Sequence, residues 1–290
     1  MGYKLKPTHT IYQLFFWVHL FSIDIAAGAC LMSFAFSQLL PLPVPWFVYV
    51  LLANSTLMVY WADHLLDARN DKIVGISIRH MFFKKYATVF IVLILLLGIV
   101  NVIIAMLYVN KVGLLFGAIA CLISFIYVWY HERFPHILLF EKEILIGIIY
   151  GFSIGLVPVL TLGFYAFFIW PEILLISILI ALTTLQNTFS IAKIECTKDF
   201  AAAARNIATR YSGSMLNELQ IMFFILQLML SIVLVLVSPV KGSLVVGTTL
   251  IANSILQFLL PVYANASQDE SYRYLGEWLF ILCGVLWFIL

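Results

Sequence analysis

Apolar runs of about twenty residues follow one another along nearly the whole chain, interrupted by short polar clusters and by Pro and Gly. A helix needs about 20 apolar residues to cross the hydrocarbon core of a bilayer, so such runs in series leave few alternatives to a membrane bundle. Dividing the chain at its polar clusters gives nine expected spans, roughly 12–39, 43–66, 83–108, 112–131, 142–163, 167–192, 216–238, 243–264 and 272–290. Barrel-type alternation is absent, which leaves helices as the way to satisfy a backbone in lipid. Composition agrees. The 290 residues are 64% hydrophobic and 10% charged, with mean hydropathy +1.07, where soluble domains carry about a quarter charged residues. The expected fold class is all-α and polytopic, a single integral membrane domain over 1–290.

The basic residues fall on one side of this layout. Lys4, Lys6, Arg69, Lys72, Arg79, Lys84, Lys85, Arg133, Lys142, Lys193, Lys198, Arg205, Arg210 and Arg273 share it, while Lys111 and Lys241 lie on the other. The positive-inside rule therefore predicts a cytoplasmic N-terminus and, with nine spans, an external C-terminus. A net charge of +2, with the charges dispersed, excludes nucleic acid as a partner. Cys30, Cys121, Cys196 and Cys283 have no CxxC pairing and read as small core residues. Met1 to Thr10 is short and polar, and no cleavable signal peptide is expected.

Against this apolar background the stretch YWADHLLDARND, Tyr60 to Asp71, is conspicuous: Asp63, Asp67 and Asp71 sit four residues apart at the end of the second span. Asp67 and Asp71 recur 128 residues later as Glu195 and Asp199, after the sixth span, and both pairs precede a basic loop. Four spans separate them, so both lie on the same side. The simplest organisation is two parallel four-helix repeats, about 12–131 and 142–264, followed by a ninth helix at about 272–290.

Carboxylates at i and i+4 share one helix face and repel. A bound cation, basic partners or solvation at the membrane surface would offset that repulsion. Hard oxygen ligands suit Mg²⁺, which takes one or two carboxylates together with phosphate oxygens and water. Arg79, Lys84 and Lys85 after the first cluster, and Lys198, Arg205 and Arg210 around the second, supply charge for a diphosphate. Such a site above an apolar bundle that is 16% aromatic suits a diphosphate head with a long hydrocarbon tail, as in a polyprenyl diphosphate.

These residues resemble the signatures of the UbiA superfamily of intramembrane prenyltransferases. The first, N-D-x-x-D-x-x-x-D, reads here Asp63, His64, Asp67, Asp71, with Asp in place of Asn and His in place of the first Asp. The second, D-x-x-x-D followed by a segment like R-T-L-x-x-R-L-G, is similar to Glu195 to Asp199 and then RNIATRYS, Arg205 to Ser212. YVWYHERF, Tyr127 to Phe134, is similar to the tyrosine-plus-basic end of the family's fourth helix. The resemblance implies a UbiA-like bundle with a central apolar cavity and Mg²⁺-dependent transfer of a prenyl group to a lipophilic acceptor, aromatic or quinone-type. It implies Asp67, Asp71, Glu195 and Asp199 as catalytic metal ligands with Asp63 beside them, and Arg79, Lys198, Arg205 and Arg210 on the diphosphate.

Other readings stay open: a terpene cyclase of the same fold, a diphosphate-binding member without turnover, for which His64 is the motive, and a transporter. Asp24, near the middle of the first expected span, reads as an acceptor contact, a proton-positioning group or an interhelical hydrogen bond. Asn54 and Asn187 read as cavity residues or as helix-joining amides. His80 is in reach of phosphate or is bland. Gly147, Gly151 and Gly155 predict close helix packing, and Glu270, Arg273 and Glu277 an interfacial ion-pair cluster.

Overall fold

The computed structural model describes residues 10–39, 44–69, 78–133, 142–163, 171–201, 207–211, 213–238, 242–263 and 271–289. These residues form helices and no strands: α1 Thr10–Leu20, α2 Ile23–Leu39, α3 Trp46–Asp67, α4 Ile78–Lys85, α5 Ala87–Tyr108, α6 Lys111–Arg133, α7 Lys142–Leu162, α8 Pro171–Ala201, α9 Ile207–Arg210, α10 Gly213–Val237, α11 Gly242–Tyr263 and α12 Ser271–Ile289. Among the described residues five helices, α5, α8, α10, α11 and α12, are long and apolar enough to cross a membrane, or six if the bent pair α1 and α2 is one span.

That bend departs from the expected straight span at 12–39. The axes of α1 and α2 turn by 79° at Phe21 and Ser22, where Ser22 adopts a left-handed φ of 58°. Local bonding explains the break. The Asp24 carboxylate accepts a hydrogen bond from the Ile25 backbone N–H at 3.0 Å and so competes with helical continuation. The indole N–H of Trp61 donates to the Phe21 carbonyl at 2.9 Å. Asp24 therefore stands in the first turn of α2, just after the bend.

Burial separates inner from outer helices. In α8, 78% of the span is buried within the protein, against 6% of α5, which lies on the outside of the bundle. The expected close packing occurs between α7 and α8. Gly147 lies against Leu185, Gly151 against Ala181 and Gly155 against Ser177, with no room for a Cβ, and the falling partner numbers make the pair antiparallel. The 31 residues of α8 make it about 46 Å long, beyond a hydrocarbon core of about 30 Å. Glu195 and Asp199, expected after the span, are thus carried on its last turns.

The two parts of the bundle are joined differently. Around α3, α4 and α5 the contact is aromatic, with Trp61, Phe83 and Phe90 buried among Phe21 and Phe82. Around α8, α10 and α11 it is polar. Gln220 donates to the Ser190 hydroxyl at 2.8 Å, Ser190 to the Gln257 carbonyl at 2.7 Å, and Gln227 to the Thr183 hydroxyl at 2.6 Å. The order long, short, long, long occurs twice, in α3 to α6 and in α8 to α11, and α3 touches α4 and α5 as α8 touches α9 and α10.

Candidate functional site

The end of α3 gathers Asp63, His64 and Asp67, whose ligand atoms all lie within 4.8 Å of one another. Helical spacing puts Asp63 and Asp67 on one face, with His64 beside them. His64 is buried, with its ring 5.0 Å from that of Phe83 and its Nε2 3.5 Å from the Ser22 hydroxyl. The short helix α4 returns across this end. Phe83, fully buried in the aromatic cluster, anchors it, so that Arg79 and His80 are buried in its first turns. His80 Nε2 stands 3.6 Å from the Asp67 carboxylate, and neither ring nitrogen of His80 has a hydrogen-bond partner among the described residues.

The end of α8 is built otherwise. Glu195 is buried and paired in two-pronged fashion with Arg273 of α12, whose Nε donates to Oε1 at 2.6 Å and whose Nη2 donates to Oε2. The Tyr272 hydroxyl donates to Oε1 as well. The carboxylate expected to bind metal is therefore already neutralised, and Asp199, one turn further, is half-buried. Arg273 and Glu277 are the described residues of the expected ion-pair cluster with Glu270. Arg273 turns to Glu195, and Glu277 accepts from the Asn187 amide at 3.4 Å; Glu270 lies outside the described residues.

A third polar group sits at the break in the first span. His19 Nδ1 and Asp24 Oδ2 are 2.7 Å apart and both residues are buried. Sequence reasoning missed His19 because residues five apart lie on different sides of an unbroken helix. Asn187 is buried beside Glu277. Asn54 follows the helix-joining reading: it donates to Asn101 of α5 at 2.9 Å. Arg210 is exposed, with its guanidinium 5.8 Å from the Tyr211 ring centroid. Asp71, Arg205 and the Lys198 side chain lie outside the described residues. A crevice of about 150 Å³ between α11 and α12, lined by Thr248, Asn253 and Cys283 among others, contains none of the expected site residues.

No protein-family model, curated protein or solved structure matches this chain. As a donor set, Asp63 and Asp67 fit Mg²⁺, which shares one or two carboxylates with substrate phosphate. His64 adds an imidazole, a donor suited to softer divalent metals.

Proposed function

We propose that the chain is a Mg²⁺-dependent intramembrane prenyltransferase, moving a prenyl group from a polyprenyl diphosphate to a lipophilic aromatic or quinone-type acceptor. The observation that carries this reading is the convergence of Asp63, His64 and Asp67 with the basic first turns of α4 at one end of an apolar helix bundle. Nine spans in two parallel four-helix repeats plus one are supported by the twice-repeated order of long and short helices. The one-sided distribution of Lys and Arg supports a cytoplasmic position for the acidic ends.

In this reading Asp63 and Asp67 hold the metal, and Arg79 and His80 lie on the diphosphate from the α4 side. Mg²⁺, when bound, supplies positive charge to the leaving pyrophosphate. Breaking the allylic C–O bond leaves a carbocation on the prenyl chain. Tyr60 and Phe83, whose rings flank His64, give it aromatic faces and keep water from quenching it. Attack by an electron-rich carbon of the acceptor forms the new C–C bond, and the acceptor carbon then loses its proton.

A second reading, a lipid-diphosphate-binding protein without turnover, is favoured by one observation, the saturation of Glu195 by Arg273 and Tyr272. Pyrophosphate release separates the two. Protein in lipid nanodiscs with Mg²⁺ is given geranyl, farnesyl or geranylgeranyl diphosphate, with and without membrane extract, beside an Asp67→Ala variant. Release that needs extract and is lost in the variant is expected. Release without extract points to a cyclase, and binding without release to the second reading.

A further inference from the structure

The donors gathered at the end of α3 are not carboxylates alone. Asp63 and Asp67 share one helix face, and His64, only 4% exposed, adds an imidazole nitrogen to the same group. No cysteine sulfur belongs to it among the described residues. All three ligand atoms lie within 4.8 Å of one another, and donors on one ion stand at most about 4.2 Å apart, twice a bond of about 2.1 Å. Small side-chain rotations are therefore enough to close the group on an ion. Three protein ligands, with positions left for water, are the pattern of a catalytic metal site rather than a structural one.

A second observation comes from α4. His80 is 7% exposed, and neither of its ring nitrogens has a hydrogen-bond partner among the described residues. Its Nε2 stands 3.6 Å from Asp67 Oδ2. Carboxylates that ligate a metal are themselves held by hydrogen bonds from behind, and His80 is placed to be that donor. An imidazole carries an N–H in either protonation state. Nδ1 of His80 remains for the diphosphate of the prenyl-transfer reading. His64 needs no particular resting state either, because a metal ion displaces the proton from the nitrogen it binds.

The ion such a set prefers depends on what else is bound. Mg²⁺ takes oxygen ligands and sheds water reluctantly, so it relies on the phosphate oxygens of a diphosphate. Without a diphosphate an ion meets two carboxylates, an imidazole and water, and imidazole favours the later first-row ions over Mg²⁺. The end of α8 offers no such choice, since Glu195 is engaged by Arg273 and Tyr272. We infer that, in the absence of diphosphate, the end of α3 binds a transition-metal ion of the Mn²⁺ to Zn²⁺ series in preference to Mg²⁺, with Asp63, His64 and Asp67 as ligands and His80 as a positioning residue behind Asp67. This concerns the site of the prenyl-transfer reading but goes beyond it, because the ion binds to the chain alone.

The test uses the full chain, free of any histidine tag, in phosphatidylcholine nanodiscs without diphosphate. Mn²⁺ is titrated by electron paramagnetic resonance, which counts the free ion, with empty nanodiscs as the blank. Bound Mn²⁺ is expected to show a directly coordinated nitrogen in the pulsed spectrum. Co²⁺ is expected to displace it at least about tenfold more effectively than Mg²⁺. His64→Asp, which keeps three donors, is expected to hold Mn²⁺ with no bound nitrogen and to lose the preference for Co²⁺. His80→Ala is expected to weaken Mn²⁺ about tenfold or more, and His80→Gln, which keeps an N–H donor, to retain most of the affinity. No binding above the blank, bound Mn²⁺ without nitrogen, Mg²⁺ competing as well as Co²⁺, or a nitrogen signal that survives His64→Asp would each overturn the inference. Equal loss in both His80 variants would remove His80 from it. The wild-type readouts decide even where a variant fails to fold. A separate arm adds Mg²⁺ and farnesyl S-thiolodiphosphate, a donor mimic that does not ionise. Nitrogen-bound Mn²⁺ without thiolodiphosphate binding upholds the metal site and removes the prenyl donor. Thiolodiphosphate binding without nitrogen-bound Mn²⁺ does the reverse.

Discussion

The ends of α3 and α8 carry carboxylates at the same four-residue spacing, yet they are electrostatically unlike. At α3, Asp63 and Asp67 crowd together with His64, and α4 brings His80 to 3.6 Å from Asp67. At α8, Glu195 has both oxygens taken, by Arg273 of the last helix and by Tyr272. The first end is a concentration of acid with the imidazole of His80 beside it. The second is a closed ion pair that fastens α12 to α8. A repeated motif thus fixes where carboxylates lie, and the partners brought by other helices decide what each can do.

The largest expected effect falls on the open end. Asp67→Asn should lower pyrophosphate release about a hundred- to thousandfold, as removal of one preorganised electrostatic group does elsewhere, while Glu195→Gln lowers it far less; steady-state kinetics in nanodiscs measure both. Next, Phe83→Ala should cost about 3 kcal/mol of stability through the cavity it leaves. It should also weaken thiolodiphosphate binding, because α4 loses the anchor that sets Arg79 and His80.

On the closed end, Arg273→Met should cost about 2–3 kcal/mol, since it strands a buried carboxylate. Adding Glu195→Gln should recover most of that loss in a thermal-unfolding cycle. If the double variant is no more stable than the single, the pair does not hold α12. The smallest effect belongs to Asn54→Ala, expected to cost about 0.6 kcal/mol, the usual worth of an interhelical hydrogen bond in a membrane, and to leave pyrophosphate release unchanged.

What the chain declares in advance follows from local rules. The Asp63–Asp67 and Glu195–Asp199 spacings and the small-residue stripe of α7 are periodic features, and the helices carry them where periodicity puts them. The parts that escape sequence reasoning are those set by tertiary partners. In a continuous helix His19 and Asp24 would stand roughly 140° apart around the axis; only the left-handed Ser22 brings them within 2.7 Å. Arg273 reaches Glu195 across 78 residues of chain, and nothing local distinguishes it from an interfacial charge. The glutamines of the polar seam did leave a signal. Gln220, Gln227 and Gln257 lie inside apolar runs, where an amide without a partner helix would be costly. Asn54 left the same signal as Asn187, and only the neighbouring helix shows what each holds, Asn101 for one and Glu277 for the other.

The most direct measurement is equilibrium binding of farnesyl S-thiolodiphosphate as Mg²⁺ is titrated, on wild type, Asp67→Asn and Glu195→Gln side by side. Mg²⁺-dependent binding in wild type, lost with Asp67→Asn and kept with Glu195→Gln, is the expected result. Binding that ignores Mg²⁺, or that survives Asp67→Asn and disappears with Glu195→Gln, would contradict the assignment of the diphosphate to the end of α3.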